Sequence, residues 1–242
     1  MNINSCSQEQ ESLNKEINFN ILRVKLKTNN LLRKGEFVLS YGPMKSGKSE
    51  TITSFIYLLE IAKGKGFKNN YSLFKPSVDR RDGPYIISRA NSSKDPRKYP
   101  SVFIDIHKPE SLLDYISQET HMVGIDELQF FDEGIVGVIE ELLKKDIYVV
   151  GAGLDLDFRR KPFGAMPQLI NIATESIAKK AICDKCGGIA TLTQRLNKDR
   201  TPASFDEPVL AVEQISTSGQ YKKQSPDYFY EARCFHCYEF PK

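Results

Sequence analysis

From residue 35 onward, short apolar runs alternate with stretches whose apolar residues recur at helical spacing. Phe37, Val38 and Leu39 in GEFVLSY predict a buried parallel strand, and Ile52, Phe55, Ile56 and Leu59 after it predict a helix. A second strand is expected near Asn70–Phe74, and a third, SVFIDI, starts at Ser101 and leads into a helix begun by Pro109 and Glu110. HMVGIDE reads as the next strand, followed by a helix from about Glu133 to Lys145 and a buried strand, YVVGAGL, from Tyr148. Strands alternating with helices predict an α/β domain with a mainly parallel sheet covered on both faces. Upstream, Leu22, Val24 and Leu26 alternate with Arg23, Lys25 and Lys27, the pattern of a half-buried strand, behind a polar and mobile first 16 or so residues. No internal repeat is visible. After about Ala178 the texture changes to cysteines, glycines and short β-like runs. The expected organisation is a partly disordered extension over 1–34, an α/β domain over 35–179 and a small metal-bound domain over 180–242.

Composition narrows the picture modestly. A chain of 242 residues can bury a proper core, and a formal net charge of +3 is too slight to demand nucleic acid or an anionic membrane as partner. No stretch approaches the roughly 18 apolar residues of a membrane span. The first residues, MNINSCSQEQESLNKE, contain no apolar signal core, so the expectation is a cytoplasmic protein. Four of the five cysteines form two C-x-x-C pairs, which in a reducing compartment point to metal before disulfides.

The chemistry concentrates after the strands. GPMKSGKS, from Gly42 through Pro43, Met44, Lys45, Ser46 and Gly47 to Lys48 and Ser49, has the spacing of a phosphate-binding P-loop. Its glycines let backbone N–H groups turn toward phosphate oxygens at a helix N-terminus. Lys48 then reaches the β- and γ-phosphates, and the Ser49 hydroxyl ligates Mg2+. GIDELQFF ends a buried strand on Asp126, placed to hold the Mg2+, and Glu127, placed as a general base. The Asp-Glu pair alone does not distinguish transfer to a hydroxyl from hydrolysis. FKPSVDRR sets Asp79, Arg80 and Arg81 beyond another strand, where an arginine can neutralise a transferring phosphoryl group. In GLDLDFRRKPFG, Leu154 and Phe158 either wall a flat base or pack in the core.

Cys183, Cys186, Cys234 and Cys237 can present four thiolates from two tight turns, a closed four-thiolate site expected to hold a structural Zn2+ and to close the loop from 187 to 233. His236, inside the second pair, either replaces a thiolate or faces solvent, and solvent is the simpler reading. Cys6 reads as a free thiol.

GPMKSGKS, FKPSVDRR, IDELQFF, GLDLDFRRKPF, the two C-x-x-C pairs and YEARCFHC occur in the order seen in type II thymidine kinases, the zinc-containing family, and the chain resembles that family from Gly35 to its end. The resemblance implies a RecA-like P-loop domain, a zinc-bound lasso domain and a homotetramer. It implies transfer from ATP to the 5′-hydroxyl of thymidine, with thymidine triphosphate as feedback inhibitor and deoxyuridine as a further acceptor. Carried onto this sequence, Glu127 is the catalytic base, and Gly42 to Ser49, Asp126 and Gln129 form the ATP and Mg2+ site, with Asp79 and Arg81 near the reacting phosphate. Met44, Phe130, Leu154, Phe158 and Thr193 fall where the family builds its thymine pocket, and Tyr230 matches a lasso tyrosine that contacts the nucleoside. Steadying that lasso makes the zinc site matter more for thymidine than for ATP.

Two departures stand out. ISTSGQYKKQSPDYFYEARC is longer than the family's glycine-rich turn and offers Tyr221 and Tyr228 as rival tyrosines. The N-terminal extension lies outside the resemblance. Two other classes compete: a zinc-ribbon P-loop ATPase acting on nucleic acid, against which no concentrated basic stripe is seen, and a non-catalytic nucleotide-binding regulator, against which Lys48, Ser49, Asp126 and Glu127 are all intact.

Overall fold

A computed structural model describes residues 35–66, 70–87, 97–209 and 228–241. The extension, its expected strand through Leu22, Val24 and Leu26, Cys6 and Tyr221 lie outside the described residues. In chain order the elements are β1 (Phe37–Tyr41), α1 (Lys48–Gly64), β2 (Asn70–Pro76), β3 (Tyr85–Ile87), β4 (Lys98–Pro100), β5 (Val102–Ile104) and β6 (Thr120–Ile125). There follow α2 (Gly134–Lys144), β7 (Tyr148–Gly153), α3 (Met166–Ile172), β8 (Glu175–Ala178), β9 (Ala181–Ile182), β10 (Ile189–Ala190), β11 (Leu192–Asn197) and β12 (Tyr228–Arg233).

Six strands form one sheet in the order β5-β2-β6-β7-β1-β8. Every pairing in it is parallel. The side-chain period of two sorts each strand between two buried layers. Phe37, Leu39, Val123, Ile125 and Val149 enter one core cluster with Ile135, Val138, Ile139 and Leu142 of α2 and Met166 and Leu169 of α3. The α2 residues recur at the three- and four-residue steps of a helical stripe. The alternate positions face α1: the Tyr148 ring lies 5.5 Å from Phe55, and a Cβ on Gly124 would meet Ile52 at 2.9 Å. Helices therefore cover both faces, as the pattern predicts.

The expected helix after β5 is a 3-10 helix, Pro109–Tyr115. Pro109 and Leu112 are its buried residues, three apart, which suits three residues per turn better than 3.6. Strand β8, short and with Glu175 and Ser176 in it, escapes the apolar pattern, yet it pairs with β1 as a sheet edge.

Because all six strands point the same way, the segments that follow them share the sheet's carboxyl edge. The P-loop leaves β1 there, FKPSVDRR leaves β2, Asp126 and Glu127 leave β6, and Leu154 leaves β7. Beyond β8, the Lys179 N–H donates to the Tyr41 carbonyl at 2.7 Å. Gly42 follows with φ 143, and a Cβ there would stand 2.3 Å from the Lys179 oxygen, so the residue opening the P-loop has no room for a side chain. The cysteine-bearing segment contributes two antiparallel pairs, β9 with β10 and β11 with β12.

Candidate active site

The P-loop runs from Gly42 to Gly47, whose φ of 74 starts α1 with no side-chain cap. The first N–H groups of α1 are therefore left for an anion. Lys48 donates from Nζ to the Pro43 carbonyl at 2.7 Å, folding over its own loop. Burial lowers its pKa, while Glu127, Asp126 and Asp155 act to raise it. The Ser46 hydroxyl is buried without a hydrogen-bond partner among the described residues, a donor suited to a phosphate oxygen. Two loop residues tie to the cysteine-bearing segment: the Met44 N–H donates to Thr193 Oγ1 at 3.0 Å, and Lys45 Nζ pairs with Asp184 at 2.9 Å.

Opposite the loop, Asp126 Oδ1 accepts the Ser49 hydroxyl at 2.9 Å and the Glu127 N–H at 3.0 Å. Burial pushes the Asp126 carboxyl above its ordinary range and the neighbouring Glu127 adds to this, with the Ser49 bond pulling the other way. A hydroxyl and a hard carboxylate, adjacent at the end of the P-loop, fit a Mg2+ brought in with nucleotide phosphates.

Glu127 itself is left-handed, with φ 53 and ψ 43, a conformation uncommon outside glycine. Its two oxygens are held separately. Arg81 Nη2 bonds Oε1, and Gln129 Nε2 donates to Oε2 at 2.6 Å. Gln129 is fixed in turn, because its Oε1 accepts the Leu154 N–H at 2.9 Å. Both ends of the Gln129 amide are thus engaged by protein groups beside the base. Asp79 anchors Arg81 through Oδ1, which accepts Nε at 2.7 Å, and ion-pairs through Oδ2 with Lys75 at 2.9 Å. Burial would raise the Asp79 carboxyl, but Arg81 and Lys75 together hold it below its usual value. Of the two adjacent arginines, only Arg81 turns toward Glu127; Arg80 lies over the Phe103 ring, 4.0 Å from its centroid.

The residues expected around a base are divided. Leu154 and Phe158 are both buried, and the Phe158 carbonyl accepts the Tyr238 hydroxyl at 2.5 Å. Phe130 packs edge-on against Phe163, and Thr193 holds the P-loop through Met44. On β12, Tyr228 and Tyr230 share a face with ring centroids 5.4 Å apart. Tyr228 lies under Arg195, at 4.1 Å. Burial pushes the Tyr230 phenol up to about 12, although Arg195 and Arg81 both act to lower it. Tyr230 is therefore within electrostatic reach of the arginine that holds Glu127.

Three participants were not singled out by the sequence: Lys75 and Asp184, which lie inside FKPSVDRR and the first C-x-x-C, and Arg195, which lies in no motif. Arg195 is buried and pairs with Glu207 at 3.0 Å while donating to the Pro208 carbonyl at 2.8 Å. A charged residue at a buried strand position is the one sequence signal that Lys75 and Arg195 leave.

The sulfurs of Cys183, Cys186, Cys234 and Cys237 lie within 4.8 Å of one another. Tetrahedral Zn–S bonds of about 2.3 Å separate neighbouring sulfurs by about 3.8 Å, and Cys186 Sγ stands 3.7 Å from Cys234 Sγ. The cluster fits a structural zinc, and His236 is exposed beside it. Between the first two cysteines, Asp184 accepts the Ala232 N–H at 2.6 Å as well as pairing with Lys45. This turn touches the P-loop as well as β12. Elemental analysis of chelator-free protein should find one zinc per chain, and Cys186→Ser should weaken nucleotide binding as well as loosen β12. A chain without zinc would contradict the assignment.

A family model described as thymidine kinase matches residues 35–238.

Proposed function

Because the chain belongs to the thymidine kinase family, and so is an ATP:thymidine phosphotransferase, we propose that it transfers the γ-phosphoryl group of ATP to the 5′-hydroxyl of thymidine. Deoxyuridine is a second acceptor, and the products feed pyrimidine deoxynucleotide salvage. The observation that carries the reading is the Glu127 carboxylate, held between Arg81 and Gln129 and next to the Ser49–Asp126 pair.

Backbone N–H groups from Lys45 to Ser49, with the Ser46 hydroxyl and Lys48, bind the phosphates, while Gly42, Pro43 and Met44, whose N–H is held by Thr193, shape the loop. Ser49 and Asp126 would hold Mg2+, which would supply positive charge against the phosphates. Arg81, its Nε anchored by Asp79, swings its Nη2 end from Glu127 toward the γ-phosphate as it arrives. An ion-paired carboxylate is a poor base, so this shift frees Glu127 to take the 5′-hydroxyl proton. The 5′-oxygen bonds to phosphorus as the bond to the bridging oxygen breaks, and ADP leaves with that electron pair. Gln129 belongs to this centre as the support of the base.

Met44, Phe130, Leu154, Phe158 and Thr193 surround the thymine, and Tyr230 closes over the nucleoside from β12. Residues 180–242 act as a zinc-held lasso domain on the P-loop domain of 35–179. Thymidine triphosphate inhibits by occupying the acceptor site, and the working form is a cytoplasmic homotetramer. Among the described residues no helix is long and apolar enough to cross a membrane.

Glu127→Gln preserves shape and removes basicity. It should lower kcat by about 10²–10⁴-fold with ATP affinity retained in a binding titration. Near-normal thymidine phosphorylation by this variant would remove Glu127 from its role. The tyrosines give a second check. Tyr230→Ala should raise the thymidine KM clearly more than Tyr228→Ala, and Tyr221→Ala should leave it unchanged. A larger defect in Tyr228→Ala would show that the nucleoside meets β12 one pleat earlier.

A further inference from the structure

We propose that Lys75 is a positioning residue for phosphoryl transfer, acting through Asp79 on Arg81, the arginine shared between Glu127 and the γ-phosphate. The proposal rests on the roles given above to Arg81 and Glu127.

Lys75 sits in β2 between Phe74 and Pro76, and its exposure is 1 %. A buried ammonium is costly unless it is paired, and an apolar residue would fill this strand position without that cost. What the charge holds is a carboxylate. Lys75 Nζ lies 2.9 Å from Asp79 Oδ2, four residues on, and the side chains of both are almost wholly enclosed. Longer contacts run from the same ammonium to the carbonyls of Gly83 at 3.4 Å and Tyr85 at 3.5 Å. One cation thereby draws together both ends of the turn that carries Arg81.

Asp79 divides its oxygens. Oδ2 goes to Lys75, and Oδ1 accepts the Arg81 Nε at 2.7 Å and the Arg81 N–H at 3.4 Å. With Nε so fixed, the far end of the guanidinium reaches Glu127 Oε1. The Arg81 side chain is 51 % exposed, so packing alone does not immobilise it. A long half-exposed arginine samples many rotamers unless anchored near its head. Asp79 is that anchor, and Lys75 prevents Asp79 from turning away. The bland alternative is that Lys75 only staples the 79–85 turn, in which case its loss would lower stability but would not act through Arg81.

The test compares Lys75→Met, Arg81→Ala and the double variant at saturating ATP and thymidine, with melting curves for each. The relay predicts that Lys75→Met alone lowers kcat about ten- to hundred-fold, with both KM values within about three-fold of the parent. In the Arg81→Ala background the same change should cost less than about two-fold, because its route is already cut. A full-sized Lys75 effect in that background overturns the relay while leaving Arg81 in its role. Near-normal kcat in Arg81→Ala would instead refute the role of Arg81, and the relay with it. Should Lys75→Met not fold, Asp79→Asn is compared with Lys75→Met/Asp79→Asn, which removes both buried charges. Equal kcat in that pair supports the relay, and a further loss on removing Lys75 overturns it.

Discussion

The site depends on how one carboxylate is held. Glu127 leaves β6 in a left-handed conformation, and its oxygens are taken by Arg81 on one side and Gln129 on the other. Each partner is fixed from a different strand. Arg81 answers to Asp79 and Lys75 beyond and within β2, and Gln129 answers to the Leu154 N–H beyond β7. Such convergence is possible because the sheet is wholly parallel and the segments after its strands meet at one edge. An uncommon backbone conformation persists only where its surroundings over-determine it, and here the side chain is clamped at both oxygens.

The same edge joins two parts of the chain that the sequence separates widely. Asp184, between the first two cysteines, holds Lys45 of the P-loop and the Ala232 N–H of β12. Thr193 on β11 receives the Met44 N–H. Whatever stiffens the cysteine turn therefore acts on the phosphate loop and on the strand bearing Tyr230 together. Exposed ion pairs contribute little to stability on their own, so the importance of Lys45 and Asp184 lies in register rather than in energy.

Much of this was legible in the sequence where function follows local spacing. The P-loop, the Asp126–Glu127 strand end and the cysteine pairs each declare themselves within eight residues. The 3-10 helix at Pro109 was not legible as such, because proline and glutamate start both helix types and only the three-residue burial step separates them. Lys75 is not legible as a functional residue, because what marks it is its burial in a central strand against Asp79, and burial appears only in the folded chain. The amide contacts of Gln129 to Glu127 and Leu154 join two separate segments, and no local spacing announces them. The pairing of Lys45 with Asp184 spans most of the chain, and no local pattern carries it.

The central claim is that Glu127 is held for a nucleoside hydroxyl and not for water. The most direct measurement is the ratio of thymidine monophosphate formed to ADP released by the unmodified enzyme with MgATP, with thymidine present and with it omitted. One thymidine monophosphate per ADP is expected, and almost no ADP when thymidine is omitted. ADP release at the same rate without thymidine, or released only on addition of single-stranded DNA, would contradict it.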